Sequence, residues 1–278
     1  MPPNADLWQS DAIDALTAHL RDDEDVKALV LIGSCAYPDV EPDTWSDVDL
    51  VLVADDRAVA RFYPSSDWLA PLGRIYASAP TASGHFSTIR TYFTDGRRLD
   101  VIVLPESALP AVEDWDFNPF CYGARPLFSR SPALDSVLEH TSAPAAFDSQ
   151  PAERLAEMSQ HFWFKAMLAA HKVARNDLLV ALHLSLDLIR DCCVLGMMLR
   201  DRQAGTDHHR DGRAAHPFVA ELAVTDHPYT APGLLNSIAQ SGITFDRLAS
   251  RLSEGYQPKR GPLLRWAERV RRSLQEGD

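Results

Sequence analysis

Two short apolar runs dominate the first half of the chain. Val26 to Ile32 and Val48 to Ala54 are strand-sized and nearly unbroken, the pattern of strands covered on both faces. Ahead of them, Ile13, Leu16 and Leu20 recur at helical spacing over Asp11 to Leu20, and Arg21-Asp22-Asp23-Glu24-Asp25 ends that pattern. Pro38 and Pro42 predict a loop between the two runs. Arg61 to Gly73 reads as helix and turn. Phe86 to Phe93 and Leu99 to Leu104 flank Thr94-Asp95-Gly96-Arg97. Asp-Gly between two β-rich runs predicts a hairpin, because it supplies the positive φ angles of a tight turn.

The pattern changes in the second half. Thr141 to Gln150 lacks periodicity and marks a boundary, giving expected domains at 1–145 and 146–278. Glu153 to Arg200 then carries apolar residues at helical spacing, among them Leu178, Leu182, Leu186 and Ile189. The stretch is too long for one globular helix, so a break is expected near Arg175-Asn176. Val219 to Val224, Gly233 to Gln240, Phe245 to Leu252 and Leu263 to Leu274 supply further predicted helices. The expected fold is an α/β N-terminal domain, a small mixed sheet with flanking helices, followed by an all-α C-terminal domain.

Composition narrows the partners. The 278 residues are 46% hydrophobic and 24% charged, an ordinary globular mixture with a net charge of −12. That balance disfavours nucleic acids, which are bound through basic patches, and favours a cationic ligand. No apolar run is long enough to cross a bilayer, and Met1-Pro2-Pro3-Asn4-Ala5-Asp6 has no secretory character. Cys35, Cys121, Cys192 and Cys193 show neither metal-ligand spacing nor a disulfide framework, which points to the cytoplasm. Cys35 reads as a bystander thiol, with catalysis as the sharper alternative.

The chemistry concentrates around one dipeptide repeat. Alternation along a strand places Asp47 and Asp49 on one face. Such a pair is either a solvated strand start or a ligand set for a hard cation, since magnesium takes carboxylate oxygens together with substrate phosphates. Gly33-Ser34 follows the first apolar run and could open a helix, where backbone N–H groups and a hydroxyl grip phosphate oxygens. Asp100, just after the hairpin, is a third carboxylate and serves as metal ligand, as general base, or as both. Two magnesium ions on three carboxylates would stabilise an in-line phosphoryl displacement.

Gly33-Ser34, a loop, Asp47-Val48-Asp49 and the later Arg98-Leu99-Asp100-Val101 together resemble the signature of the polymerase-β-type nucleotidyltransferase superfamily. Asp67-Trp68-Leu69 with Leu72-Gly73, and Phe93-Thr94-Asp95-Gly96 with Leu99-Asp100, resemble the aminoglycoside 6-adenylyltransferase (streptomycin adenylyltransferase) family. So do Phe162-Trp163 with Lys172, Arg175 and Asp177, and Phe245 with Gly255-Tyr256 and Pro258. The resemblance implies transfer of AMP from ATP to an aminoglycoside hydroxyl with magnesium. It also implies a helical C-terminal domain, with the substrate held between the two domains. Two positions depart from the family pattern: Cys35 stands where a basic residue is usual after Gly-Ser, and Asn176-Asp177 where Glu is common.

Other residues read two ways. Lys172, Arg175 and Asp177 form a solvated helix face, or else Lys172 meets the triphosphate and Asp177 the acceptor. Asp187 and Asp191, at i,i+4, repel unless Arg190 or another cation intervenes, and such a pair suits either a polar helix face or a polyamine pocket. His208, His209 and His216 match no standard zinc spacing and read as a surface loop. Phe162, Trp163 and Phe164 read as interdomain core, and Trp45 as either core or stacking platform. The expected partners are a nucleoside triphosphate and a small cationic acceptor, with no nucleic acid and no membrane, in a monomer or homodimer. The competing functions are transfer to a lincosamide-like molecule or a protein hydroxyl, and a nucleotide-binding regulator without catalysis. The complete carboxylate set speaks against the regulator.

Overall fold

Strands that are apolar on both faces must be covered from both sides, and the first unit is built that way. The computed structural model describes residues 8–36, 42–43, 45–115, 118–121, 123–141, 151–204 and 230–276. Its contacts divide the chain into two compact units, Met1–Pro144 and Ala145–Asp278.

Unit 1 opens with α1 (Trp8–Arg21), then β1 (Val26–Ile32), β2 (Val48–Ala54) and the short α2 (Val59–Phe62). The strands β3 (Ile75–Ser83), β4 (Phe86–Phe93), β5 (Arg98–Pro105) and β6 (Ala124–Ser129) and the helix α3 (Pro132–His140) follow. The six strands form one mixed sheet in the order β3-β4-β5-β2-β1-β6, with β2 and β5 parallel. Leu29, Leu31, Leu50, Leu52, Val101 and Val103 pack on one face with Leu16 and Leu20 of α1. Ala28, Val30, Val51, Val53 and Leu104 pack on the other with Leu134 and Val137 of α3. The β4–β5 hairpin forms at Asp95-Gly96 as expected, with Gly96 at φ +89°.

Unit 2 holds α4 (Pro151–Ala174), α5 (Leu178–Ala204), α6 (Ala231–Leu252) and α7 (Arg260–Glu276) around one core that includes Phe162, Leu188, Leu195, Ile238, Phe245 and Leu263. The expected break falls at Asn176, whose φ of +54° is the left-handed conformation that ends helices. Asn accepts it more readily than most residues because its short side chain bonds locally.

Three expectations are corrected. Gly233 to Leu252 is part of one helix, not two, because Gly242 lies where α6 meets α7: a Cβ there would stand 2.7 Å from Leu263 Cδ2. The glycine serves close packing, and the helix runs through it. Gly33-Ser34 opens no helix and forms a single 3₁₀ turn, Gly33–Cys35. Phe164 is 72% exposed and belongs to no core, whereas Phe162 is fully buried and stacks on Phe245 at 3.9 Å between centroids. The helix expected at Val219 to Val224 lies outside the described residues. No described helix is long and apolar enough to cross a membrane.

Candidate active site

The parallel pairing of β2 with β5 sets Asp49 directly beside Asp100. Alternation gives Asp49 the face of Val51 and Val53, and Asp100 the face of Leu104. Both carboxylates stand at strand starts, where that face runs out of core. Asp47 precedes β2, and its carboxylate joins them. One oxygen from each of Asp47, Asp49 and Asp100 lies within 4.8 Å of the others. The expected triad is therefore assembled by backbone register.

The turn after β1 closes over it. Ile32 pairs with Asp49, and Gly33 follows at φ +69°. A Cβ on Gly33 would stand 2.6 Å from Asp49 Oδ2, so both the conformation and the close approach require glycine. Cys35 donates through Sγ to the Asp47 carbonyl at 3.4 Å. Burial pushes its thiol up, and the carboxylates of Asp49 and Asp47 push it further. It is therefore a neutral packing group, which agrees with its reading as a bystander. Gln9 of α1, buried, donates through Nε2 to the carbonyls of Asp43 at 2.8 Å and Ser46 at 2.9 Å. It thereby braces the segment that delivers Asp47. Trp45, in that segment, is 93% exposed.

Two arginines compensate the acids. Arg98 donates from Nε to Asp100 Oδ1 at 3.0 Å and from Nη2 to Oδ2 at 2.6 Å. Its Nη1 lies 3.3 Å from Asp47 Oδ2. Hydrogen bonding to Asp100 holds the guanidinium pKa above its already high value. Arg90, opposite Asp100 on β4, approaches Asp100 Oδ2 to 3.3 Å and donates to Thr81 Oγ1 at 3.0 Å. Sequence reasoning passed over both arginines. Arg98 was legible, because residues two apart on a strand share a face. Arg90 depends on the hairpin register. Gln9 had no sequence signal.

The remaining predicted residues lie on the helical unit. Lys172 donates to Asp177 Oδ2 at 2.9 Å and holds that carboxyl below its usual range. Asp177 also accepts from the Val180 N–H, as an N-cap of α5 does. Arg175, exposed, lies in the turn between α4 and α5. The Asp187 and Asp191 pair is bridged from α4 by Lys165, at 3.9 and 2.6 Å, and Arg190 stands 3.9 Å from Asp187. That is the intervening cation the i,i+4 pair requires. His208, His209 and His216 lie outside the described residues.

Three carboxylates in this arrangement fit a divalent ion, since hard cations take clustered anionic oxygens. The family model of streptomycin adenylyltransferases matches residues 9–209, which include every carboxylate of the triad. No curated protein matches the chain. Among solved structures, an aminoglycoside 6-adenyltransferase from Bacillus subtilis is similar at 14% identity and TM-score 0.36, covering 96% of this chain and 99% of that one. A nucleotidyltransferase-like protein from Exiguobacterium sibiricum is similar at 9% identity and TM-score 0.34, over 87% and 77%. A spectinomycin adenyltransferase from Enterococcus faecialis, solved with ATP and spectinomycin, is similar at 11% and 0.32, over 88% and 98%. The strand-borne carboxylates and the family match over most of the sequence lead to one conclusion: the chain is a nucleotidyltransferase and belongs to the streptomycin adenylyltransferase family.

Proposed function

We propose that the protein transfers a nucleoside monophosphate, AMP from ATP, to a hydroxyl of a small cationic acceptor, an aminoglycoside such as streptomycin. The observation that carries this reading is the convergence of Asp47, Asp49 and Asp100 within 4.8 Å. Asp47, Asp49 and Asp100 would hold magnesium, two ions in this reading. Bound there, the metal neutralises charge on the phosphates and lowers the barrier to displacement at the α-phosphate.

The chain's own groups do the rest. The Gly33–Cys35 turn offers backbone N–H groups and the Ser34 hydroxyl to phosphate oxygens. Asp100 is the first choice for the base that takes the acceptor's hydroxyl proton, and Asp177 the second. On the helical unit, Lys172 is assigned to the triphosphate, and Asp177, Asp187 and Arg175 to the acceptor. The net charge of −12 attracts a polycation through screened charges, so acceptor binding weakens as salt rises. The enzyme is read as cytoplasmic.

The test is purified protein with magnesium, each nucleoside triphosphate in turn and a panel of aminoglycosides, followed by pyrophosphate release and product mass. Release of pyrophosphate with an acceptor gaining one nucleotide supports the reading. Triphosphate binding without transfer to any acceptor would identify a regulator instead.

A further inference from the structure

Arg98 is more than a neighbour of the triad, because it occupies the oxygens that a metal would need. Both oxygens of Asp100 accept hydrogen bonds from it, at 3.0 and 2.6 Å, and Asp47 Oδ2 lies 3.3 Å from its third nitrogen. A magnesium ion binds carboxylate oxygen at about 2.0–2.1 Å. An ion that close to Asp100 Oδ2 would repel a guanidinium nitrogen held 2.6 Å from the same oxygen. The two cations compete for the same oxygen.

The surroundings say where Arg98 can go. Its side chain is 34% exposed, so water reaches it, and its guanidinium lies 5.8 Å from the centroid of the Tyr92 ring, a contact that either rotamer of a long side chain can keep or leave. Arg90 touches the same Asp100 Oδ2 only at 3.3 Å and is anchored on Thr81 of β3, so it is the weaker competitor for that oxygen and Arg98 the stronger one. The turn beside the triad, Gly33-Ser34-Cys35-Ala36, carries no cation of its own. Phosphates that share a metal with Asp47, Asp49 and Asp100 come to lie next to those carboxylates. The guanidinium already touching the carboxylates is then within reach of a phosphate, and its planar fork pairs with phosphate as readily as with carboxylate.

We propose that Arg98 is an exchangeable counter-ion and so a positioning residue of the reaction. It pairs with Asp100 and Asp47 until a divalent ion takes those oxygens, and then turns to the triphosphate that arrives with the ion. This rests on the function proposed above, and it predicts two effects of opposite sign for one substitution. Losing Arg98 removes a competitor for the carboxylates, so a bare metal ion binds tighter. The same loss removes a phosphate partner, so the metal–nucleotide complex binds weaker. A merely structural role would weaken both.

The experiment uses the full chain as wild type, Arg98→Gln and Arg98→Lys. Calorimetry measures Mn²⁺ alone, then a non-hydrolysable ATP analogue with saturating magnesium. Thermal unfolding checks that each variant is folded. Arg98→Gln is expected to bind Mn²⁺ about fivefold tighter, the size of a lost competing charge in a partly exposed pair. It is expected to bind the analogue about tenfold weaker, the size of a lost charge-assisted contact. Arg98→Lys keeps the charge but cannot span Asp100 and Asp47, so both effects should shrink without changing sign. If Arg98→Gln does not fold, the lysine variant carries the comparison. Unchanged or weakened Mn²⁺ binding overturns the exchange, as does unchanged binding of the analogue. Wild type that binds both probes while the variants match it removes Arg98 alone. Wild type that binds neither removes the proposed function with it.

Discussion

The acids of the two units are compensated in different ways. On the helical unit the three acids singled out in the sequence each find a lysine nearby: Asp177 takes Lys172, and Asp187 and Asp191 share Lys165. These pairs sit on partly exposed helix faces, where ion pairs contribute little. On the sheet unit three carboxylates are pressed together by strand register, and Arg98 and Arg90 serve Asp100 from two directions. Crowding of like charges is costly, and folding alone gives no reason for it. The contrast teaches that backbone register can hold like charges together, whereas helix faces set each of these acids beside a cation.

The comparison breaks first at the triad. Asp47→Asn and Asp49→Asn should each lower turnover by about a thousandfold or more, the loss of several kcal/mol of charge stabilisation. Their thermal unfolding should stay close to wild type, since like-charge crowding is relieved. Near-normal turnover in either variant would remove the carboxylates from the reaction. Asp100→Asn should also lower turnover sharply, whether or not metal affinity changes.

Gly33→Ala should come next, because it inserts a Cβ 2.6 Å from Asp49 Oδ2 at a positive φ. Strain of that kind costs roughly 1–3 kcal/mol. Lower melting temperature together with lost turnover is expected, and a silent variant would show that the turn can move away.

A smaller effect is expected at the phosphate turn. Ser34→Ala should weaken ATP binding about fivefold, as for one lost hydrogen bond of about 1 kcal/mol, and leave acceptor binding unchanged. Calorimetry with magnesium and ATP reads it directly.

The smallest effects belong to the helical unit, and they sharpen the contrast. Asp177→Asn keeps a good N-cap and removes only the charge, so stability should hold while the acceptor's KM rises by a few-fold. Collapse of turnover in Asp177→Asn with Asp100→Asn still active would move the base to this unit. A second reading is alkaline. Burial first, and the Asp246 carboxylate that accepts from its hydroxyl at 2.7 Å, push Tyr256 up to about 12. A group raised in the fold stabilises fully below its unfolded pKa and loses that stabilisation as pH climbs through the folded one. The helical unit should therefore weaken between pH of about 10 and about 12. Tyr256→Phe should flatten that part of the profile, measured by unfolding at each pH.

The sequence exposed what local pattern controls. Val26 to Ile32 and Val48 to Ala54 are strand-length apolar runs that fit buried strands, and Gly96 and Asn176 stand where the backbone takes a positive φ. The members of the triad were readable one by one, each at the start of a strand-sized run, while their meeting depends on the parallel pairing of β2 with β5. The expectations stopped where structure depends on distant partners. Ile75–Ser83 is largely Ala, Ser, Pro and Thr, and most of it is exposed, so β3 exists because β4 offers it hydrogen bonds. Ala124–Ser129 is likewise a strand by virtue of β1. The two helices expected at Gly233 to Gln240 and Phe245 to Leu252 are one, and the reason for the glycine between them, Leu263 of α7, lies further along the chain.

Gln9 carries a practical warning for anyone cloning this protein. A fragment started at Val26 would retain all three acids, the glycine turn and every strand. It would lose the amide that fixes the Asp43 and Ser46 carbonyls, and with it the tether on the segment leading to Asp47. It would also lose Leu16 and Leu20, which cover one face of the sheet, so the helix that braces the acid is the same one that closes the core, and trimming costs both at once.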